Sequence, residues 1–301
     1  MDVKFLTEDQ KQEINKVLES SHSTKRITVD ELEKVLYKPF EVLDKGFVRV
    51  VDYMGGDSAI VRAARVSYGK GTKKVSDDGA LIGYLMRHEH MSPFEMPKIC
   101  FHIKLPIAVM RQLVRHRTAS LNEVSARYSV LPNEFYVPNI EHINLQSTNN
   151  KQGRGQRANE DIAKEVLSII IDDANHNYSN YDKMLEDGVA RELARMNLTL
   201  GCYTECYWEL DLRNLLHFIK LRTHSTAQLE MREYASKISS IVKLWCPHSY
   251  EAFLNYNLNS VKVSSNIWNT LKKYIPTDLK YDDFSHNVSK REYEEFLTLF
   301  Q

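Results

Sequence analysis

The chain has 301 residues, 43% of them hydrophobic, and its 40 basic side chains balance 40 acidic ones. This length and composition predict a folded protein with a sizeable core and exclude a disordered one. The neutral balance argues against a surface that coats nucleic acid. The first ten residues hold no apolar run, and no later stretch of about eighteen apolar residues follows, so we expect a cytoplasmic protein without membrane spans.

The first third of the chain alternates helical and strand patterns. Two helical pieces are predicted before residue 42, the second opened by Thr28 with Glu31 three residues later, which is a capping-box pattern. A strand is predicted over 47–53, then a turn at Gly55-Gly56 and a helix over 58–67. A loop rich in glycine and lysine follows over 69–79. The next helical pattern ends near His90 because Pro93 follows.

The middle of the chain predicts a half-buried strand that leads into a helix. Apolar residues alternate with polar ones over 98–105, and Pro106 suits the first position of the next helix. We expect that helix to carry Arg111 and the arginine-rich run that begins at Arg115, with Met110 facing the core. The polar segment 144–160, with Gly153 and Gly155, predicts a mobile insertion between two ordered halves of one domain.

The second half is predicted to be mainly helical. Its elements are a helix over 161–186 that ends near Gly188, a short helix with Arg191 and Arg195, a strand over 203–210, a helix capped by Asp211 and closed by Arg222, and a helix over 226–245. We expect an N-terminal helical extension over 1–42, one main domain over 43–260 and a C-terminal tail over 261–301.

The cysteines argue against disulfides and against a metal site. Cys100, Cys202, Cys206 and Cys246 are few and irregularly spaced, so reduced thiols are expected. Cys202 and Cys206 lie in a strand-like run, where four residues span roughly 13 Å, too far for one zinc ion. We predict no metal.

The densest functional signal is the run 115–128. Three arginines and a histidine within thirteen positions supply donors for an anion such as phosphate. Within the same run, Asn122, Glu123 and Ser125 suit the polar edge of a base or a flavin ring. Arg213 and His217 lie four residues apart on the later helix, and therefore on one side of it. An RNA- or nucleotide-binding protein without catalysis would also use such a patch, with Tyr128 stacking on a base.

These motifs resemble the flavin-dependent thymidylate synthases of the ThyX family. The family's signature is Arg-His-Arg, seven residues and then Ser, which is met by Arg115-His116-Arg117 and Ser125. The likeness continues through Asn122, Glu123, Arg127, Tyr128 and 134–138, and it also covers 63–67, 90–95 and the downstream helices to about residue 254. About two thirds of the chain takes part in the resemblance.

The resemblance implies a fold and an activity. The fold is a single α+β domain, a mainly antiparallel sheet flanked by helices, assembled as a homotetramer with shared active sites. The reaction transfers a methylene group from methylenetetrahydrofolate to dUMP and yields dTMP. Reduced FAD supplies the hydride and NADPH reduces the flavin again. A flavoprotein that keeps FAD but has lost methyl transfer is the nearest alternative.

The resemblance also assigns residues. Arg222 would be catalytic and face the uracil. The dUMP pocket would be lined by Gln112, Leu113, Val114, Arg115, Glu123, Val124, Ser125, Ala126 and Arg127, joined by Arg195 from a neighbouring chain. FAD would be held by Ser92, Arg115, His116, Arg117, Glu123, Asp211, Leu212, Arg213 and His217. Cys246 lies beside Pro247 and His248, as the nucleophile of the unrelated classical thymidylate synthases does, but no nearby cation would activate its thiol, so we expect it to be structural.

Overall fold

The computed structural model describes residues 6–66, 78–149, 151, 153–276 and 278–300. The helices are α1 (Glu8–Glu19), α2 (Asp30–Glu33), α3 (Asp57–Val66), α4 (Asp78–Arg87), α5 (Ile107–Leu113), α6 (Glu160–Glu186), α7 (Arg191–Ala194), α8 (Leu212–Arg222), α9 (Leu229–Trp245), α10 (Pro247–Phe253), α11 (Ser265–Leu271) and α12 (Lys290–Thr298). The strands are β1 (Phe40–Val42), β2 (Gly46–Met54), β3 (Lys98–Pro106), β4 (Ser120–Glu123), β5 (Asn144–Gln146), β6 (Arg154–Arg157) and β7 (Tyr203–Asp211).

Five strands form one antiparallel sheet in the order β1-β2-β3-β7-β4. The central strands β3 and β7 pair along their whole length, from Lys98 opposite Asp211 to Pro106 opposite Tyr203. Strands β5 and β6 form a separate two-stranded hairpin. Helices cover the sheet, so the α+β fold expected from the resemblance is confirmed.

The core lies between one face of the sheet and the helices α3, α4, α5, α8, α9 and α10. Trp208 of β7 and Phe218 of α8 are both fully buried, and their ring centroids lie 5.1 Å apart. This contact fixes α8 against the sheet. Because α8 carries several of the predicted site residues on its other side, the core determines where they lie.

The prediction of a half-buried strand over 98–105 holds for only part of β3. Its apolar residues face the core, but His102 and Lys104 are also buried, at 9% and 4% exposure. The His102 ring nitrogen Nε2 lies 2.7 Å from Glu205 Oε2, and Lys104 Nζ donates to Glu134 Oε2 at 2.6 Å. These polar partners allow the His102 and Lys104 side chains to be buried as well as the apolar ones. The alternation of polar and apolar residues predicted that this second face would be exposed.

The two N-terminal helical pieces differ in size. Helix α1 begins with a capping box between Thr7 and Gln10, and its Ile14 packs with Phe47 of β2. The second piece, α2, is a single turn that begins after Val29 with no side-chain cap, so the predicted cap at Thr28 was wrong. The Val29 N–H donates to Tyr53 Oη at 2.9 Å and the Val29 backbone is extended, which prevents a helix from starting at Thr28.

The helix that starts after Pro106 was predicted correctly at its beginning and wrongly at its end. Helix α5 stops at Leu113, so it contains Arg111 but not the arginine-rich run that begins at Arg115. The run continues through a turn and into β4, which pairs with β7 from Ser120 opposite Glu209 to Glu123 opposite Cys206. The second half of the run therefore lies at the edge of the sheet.

The described residues of the segment 144–160 form regular structure where the sequence predicted a mobile insertion. It contains the hairpin β5–β6, in which Asn144 Nδ2 donates to Gly155 O at 3.0 Å. The hairpin has few apolar residues, so the alternation of polar and apolar residues that predicts strands is absent from its sequence. The helix predicted to follow is confirmed as α6, capped by Asn159 and ended by Gly188 at a φ of 77°.

The chain forms two compact units that divide between Leu258 and Asn259. The second unit contains α11 and α12. Its aromatic side chains cluster, and the ring centroids of Phe284 and Tyr293 lie 5.4 Å apart. Residue 67 at the end of one predicted helix, and most of the predicted loop over 69–79, lie outside the described residues. Among the helices described, none is long and apolar enough to cross a membrane.

Candidate active site

Helix α8 presents one polar face outside the core. Asp211 caps its N-terminus as predicted, because Asp211 Oδ1 accepts from the Asn214 N–H at 2.9 Å, while Oδ2 accepts from Asn214 Nδ2 at 2.8 Å. Arg213 and His217 are exposed on the following turns. Arg213 forms an ion pair with Glu95, which ties the 3₁₀ turn Ser92–Glu95 to α8. The predicted cofactor residues Ser92, Arg213 and His217 therefore belong to one region.

Arg222, at the end of α8, contacts the turn after α5. Its Nε donates to His116 Nε2 at 2.9 Å, and its Nη2 lies 3.5 Å from the Gln112 carbonyl oxygen. Arg222 and His116 are both half-buried. Three of the predicted site residues, from two distant parts of the sequence, are thus joined by hydrogen bonds.

Burial and charge set the protonation of this group. Burial, the positive charge of Arg222 and the nearby His217 together lower the pKa of His116 to about 4. A neutral His116 accepts at Nε2, as the bond from Arg222 requires, and carries its proton on Nδ1. Burial and the neighbouring Arg115 also lower the pKa of Arg222 from its usual value. The guanidinium is therefore a partly desolvated cation whose acceptor carries no opposing charge.

A cavity of about 460 Å³ lies beside the polar face of α8. His217 lines it, and the His217 ring lies 6.4 Å from the His116 ring, so the cavity is adjacent to the Arg222–His116 pair. The remaining lining residues mix donors with apolar groups: Met86, Glu89, Met91, Arg213, Asn214, Leu216, Lys220, Phe253 and Asn257.

A second cavity, of about 480 Å³, lies at the end of β4. It is lined by a continuous set of predicted nucleotide residues, Glu123, Val124, Ser125 and Ala126, together with Arg195 of the same chain. The resemblance implies that Arg195 joins the pocket from a neighbouring chain. In the structure, Arg195 and Ser125 of one chain line this same cavity, whereas Arg222 contacts His116 and Gln112.

Local hydrogen bonds shape this second group. Glu123 Oε1 accepts from Thr204 Oγ1 at 2.8 Å, which holds its carboxylate against β7. The Arg127 N–H donates to Ser125 Oγ at 3.3 Å, and the Arg127 guanidinium lies 3.3 Å from Glu192. Ser125 Oγ accepts in this turn, so its hydroxyl hydrogen stays available to a ligand.

The other predicted residues contribute in different ways. Arg115 and Arg117 are exposed in the turn between α5 and β4. Leu113 and Leu212 are 2% and 0% exposed, so both residues pack in the core and almost none of their surface is open in one chain. The Leu212 N–H already donates to the Pro97 carbonyl oxygen at 3.0 Å. Val114 packs against the core and shapes the turn that carries Arg115.

Sequence reasoning missed two parts of the site. The first part is Lys220 and Asn257, which line the first cavity. Lys220 Nζ donates a hydrogen bond to Asn257 Oδ1 at 3.4 Å. Gln112 Nε2 also donates to Gln228 Oε1 at the start of α9. The spacing of Arg213, His217 and Lys220 along one helix face was a usable signal for Lys220, but no local pattern pairs Gln228 with Gln112.

The comparisons with known proteins identify the family to which the chain belongs. Residues 49–248 match the family model described as Thymidylate synthase complementing protein, so the fold and its arginine-lined site define a chain of that family. The chain is 52% identical over 279 residues to the flavin-dependent thymidylate synthase of Wolbachia pipientis wMel, covering 93% of this chain and 98% of that one. It is 50% identical over 292 residues to that of Rickettsia conorii, covering 93% and 99%. The chain belongs to the flavin-dependent thymidylate synthases, enzymes that use FAD to convert dUMP to dTMP.

A solved structure is similar as well. The UMP/dUMP methylase PolB from Streptomyces cacaoi, bound with 5-Br dUMP, superposes with a TM-score of 0.66 at 31% identity. The match covers 73% of this chain and 99% of PolB. The similarity therefore extends from sequence to the arrangement of sheet and helices.

The first cavity fits the flavin group that this family uses. An anionic dinucleotide with a planar ring needs cationic or N–H donors beside an apolar wall. Arg213, His217 and Lys220 supply the donors, and Leu216 and Phe253 supply apolar surface. The chemistry of the lining therefore suits FAD.

Proposed function

We propose that dUMP binds between two groups of residues that belong to two copies of the chain. One copy supplies Gln112, Arg115 and Arg222, and the other supplies Glu123, Ser125, Ala126, Arg127 and Arg195. The hydrogen bonds of Arg222 and the lining of the second cavity support this division. Each group is incomplete alone, since the first lacks the Arg127 and Arg195 clamp and the second lacks Arg222.

Arg222 activates the uracil ring. Attack by uracil C5 on the one-carbon unit requires negative charge to build on the ring carbonyl oxygens and N3. A fixed, half-buried guanidinium stabilises that charge more strongly than it would in water. His116 orients the guanidinium without neutralising it, because its imidazole is uncharged near pH 7.

The nucleotide phosphate meets the second group. Arg127 and Arg195 provide guanidinium donors for a dianion, and the Ser125 hydroxyl adds a further donor. Glu123, held by Thr204, accepts from the ligand side and keeps the pocket from being purely cationic. A single mononucleotide suits this mixture better than a polyanion does, which disfavours the nucleic-acid-binding alternative.

The flavin site lies beside the catalytic arginine. FAD would be held by His116, Arg117, Arg213 and His217, and by Ser92 on the 3₁₀ turn that the Arg213–Glu95 ion pair joins to α8. Asp211 and Leu212, at the start of α8, would complete the FAD site. When bound, the flavin would supply the hydride after its reduction by NADPH. The single observation that carries the proposal is the contact series from the cavity through His217 and His116 to Arg222.

We propose the homotetramer that the resemblance implies, and the uncovered sheet edge of one chain supports association between copies. All four residues of β4 are exposed, including Leu121 at 39%, and neighbouring Val124 and Tyr207 are 43% and 46% exposed. An exposed edge strand with apolar side chains on it and beside it is a surface that natural proteins cover. Helix α6 supports the same conclusion, since only three of its 27 residues are buried.

We propose that the catalytic domain spans 43–260, with a tail over 261–301 and an extension over 1–42 whose last residues, Phe40–Val42, add strand β1 to the sheet. The division between Leu258 and Asn259 supports the second boundary.

The test is the visible absorption spectrum of the purified protein after reconstitution with FAD and anaerobic addition of NADPH, with and without dUMP. We expect a bound flavin that bleaches, and a spectrum or rate that dUMP changes. Failure to retain flavin would overturn the proposal and favour a nucleic-acid-binding function, which a salt titration of polyanion binding would then examine.

A further inference from the structure

A buried carboxylate lies two hydrogen bonds from the proposed dUMP site. The Glu230 side chain, in the first turn of α9, is 3% exposed and forms an ion pair with Arg154 of the β5–β6 hairpin. Tyr136 Oη donates to the same oxygen at 3.3 Å, and Gln228 Nε2 donates to the other carboxylate oxygen at 2.8 Å. Both oxygens of Glu230 are therefore used as acceptors.

The ionised state of Glu230 is maintained by these donors. Burial alone would raise its pKa, but the hydrogen bonds from Arg154 and Gln228 outweigh burial, so the pKa lies below its usual value. A carboxylate accepts hydrogen bonds and donates none. Any side chain in contact with it must present a donor.

The need for a donor at Glu230 fixes which way the side-chain amides of Gln228 and Gln112 are turned. Gln228 must turn its Nε2 toward Glu230, which leaves its Oε1 to accept from Gln112 Nε2. Gln112 then has its Oε1 free, and within the described part of the chain no protein donor bonds to that oxygen. The carboxylate thus leaves Gln112 with a free side-chain acceptor, and the backbone carbonyl oxygen of the same residue lies 3.5 Å from Arg222 Nη2.

We propose that Glu230 is a positioning residue for the nucleotide, acting through Gln228 to hold Gln112 Oε1 toward a hydrogen-bond donor of dUMP. This inference rests on the proposed function, in which Gln112 lines the dUMP pocket. It adds Arg154, Gln228 and Glu230 to the residues on which nucleotide binding depends, and it links the β5–β6 hairpin to the active site.

We call the series of hydrogen bonds Glu230–Gln228–Gln112 the relay. It predicts effects on nucleotide binding that a purely structural ion pair would not have. Glu230→Gln keeps the size of the side chain but replaces the fixed acceptor by an amide that presents a donor as readily as an acceptor. The amides of Gln228 and Gln112 then lose their single orientation. We expect the KM for dUMP to rise roughly tenfold with kcat within about twofold, because the lost interaction serves binding.

A second variant keeps the test independent of folding. Gln228→Met removes the relay at an exposed residue and leaves no buried charge unpaired, and we expect the same rise in KM. The double variant Glu230→Gln with Gln228→Met should bind dUMP as each single variant does, since residues acting in one series are not additive. Additive effects of the two changes would contradict the relay.

The matched control is Glu134→Gln, which breaks the ion pair with buried Lys104 outside the relay. It should leave the KM for dUMP unchanged. Flavin affinity, measured on the same holoenzymes by absorbance titration, should not change in any variant. An unaltered KM in both Glu230→Gln and Gln228→Met would overturn the inference. A wild-type protein that binds flavin but shows no dUMP-dependent change would instead overturn the proposed function.

Discussion

Arg222 Nε donates to His116 Nε2 at 2.9 Å and joins the end of helix α8 to the Arg-His-Arg motif. The bond joins two side chains that can each carry a positive charge, and here the Arg222 guanidinium is the charged donor. It requires the imidazole to be neutral, and the positive charge of Arg222 helps to keep it so. Arg222 gains a fixed direction without a carboxylate that would cancel its charge.

The first prediction concerns the titration of His116. Its imidazole should titrate near pH 4, well below the usual value of 6.5, because burial and Arg222 oppose protonation. Replacing the arginine in Arg222→Met should move the pKa upward. Imidazole ¹⁵N chemical shifts followed by NMR in the flavin-free protein give both values. A wild-type midpoint near 6.5 would contradict the assigned bond.

The same shift has a consequence for stability. The unfolded chain binds more protons at His116 than the folded one between about pH 4 and 6.5, so this residue makes the free energy of unfolding increase with pH across that window. Its contribution is lost as the pH falls from 6.5 toward 4. Chemical denaturation of the wild type and His116→Gln at pH 5 and pH 7.5 should show a smaller dependence on pH in the variant.

The second prediction concerns charge at position 222. Arg222→Ala should retain yellow, bound flavin but lose turnover, because uracil activation loses its cation while the flavin cavity keeps its lining. Arg222→Lys should recover only part of the activity, since an ammonium cannot reproduce the planar donor fork. The measurements are flavin absorbance and dTMP formation. Normal turnover by the yellow Arg222→Ala protein would contradict the proposed role.

The third prediction concerns Cys246. Its side chain is fully buried, and burial raises the pKa of its thiol well above the usual value, with Asp57 adding to the rise. A buried, protonated thiol is not a nucleophile. Cys246→Ala should therefore leave turnover largely intact and reduce the free energy of unfolding by roughly 1 kcal/mol. Complete loss of turnover in a folded variant would restore Cys246 as a catalytic candidate.

The sequence predicted the elements whose pattern is local. The strands of the central pair, the helix start after Pro106, the Asp211 cap and the end of α8 at Arg222 all follow from alternation, caps and helix spacing. The Arg-His-Arg motif identified the family. These signals lie within a few residues of each other, so a single sequence reveals them.

The features that escaped depend on distant partners. Strand β4 is fully exposed and polar, and only its pairing with β7 defines it. In the sequence, Glu230 resembles an ordinary surface acid of a helix. Its burial could not be predicted because its partner Arg154 lies 76 residues away. The division of the dUMP residues between two groups also follows from tertiary contacts, which motif spacing does not contain.

The most direct test of the account is complementation between two inactive variants. Arg222→Ala and Arg195→Ala are co-expressed with different tags, and the mixed oligomer is isolated and assayed for dTMP formation. If each site combines Arg222 of one copy with Arg195 of another, random mixing restores about a quarter of the sites, while either variant alone stays inactive. Mixed oligomers without recovered activity would contradict a site shared between copies.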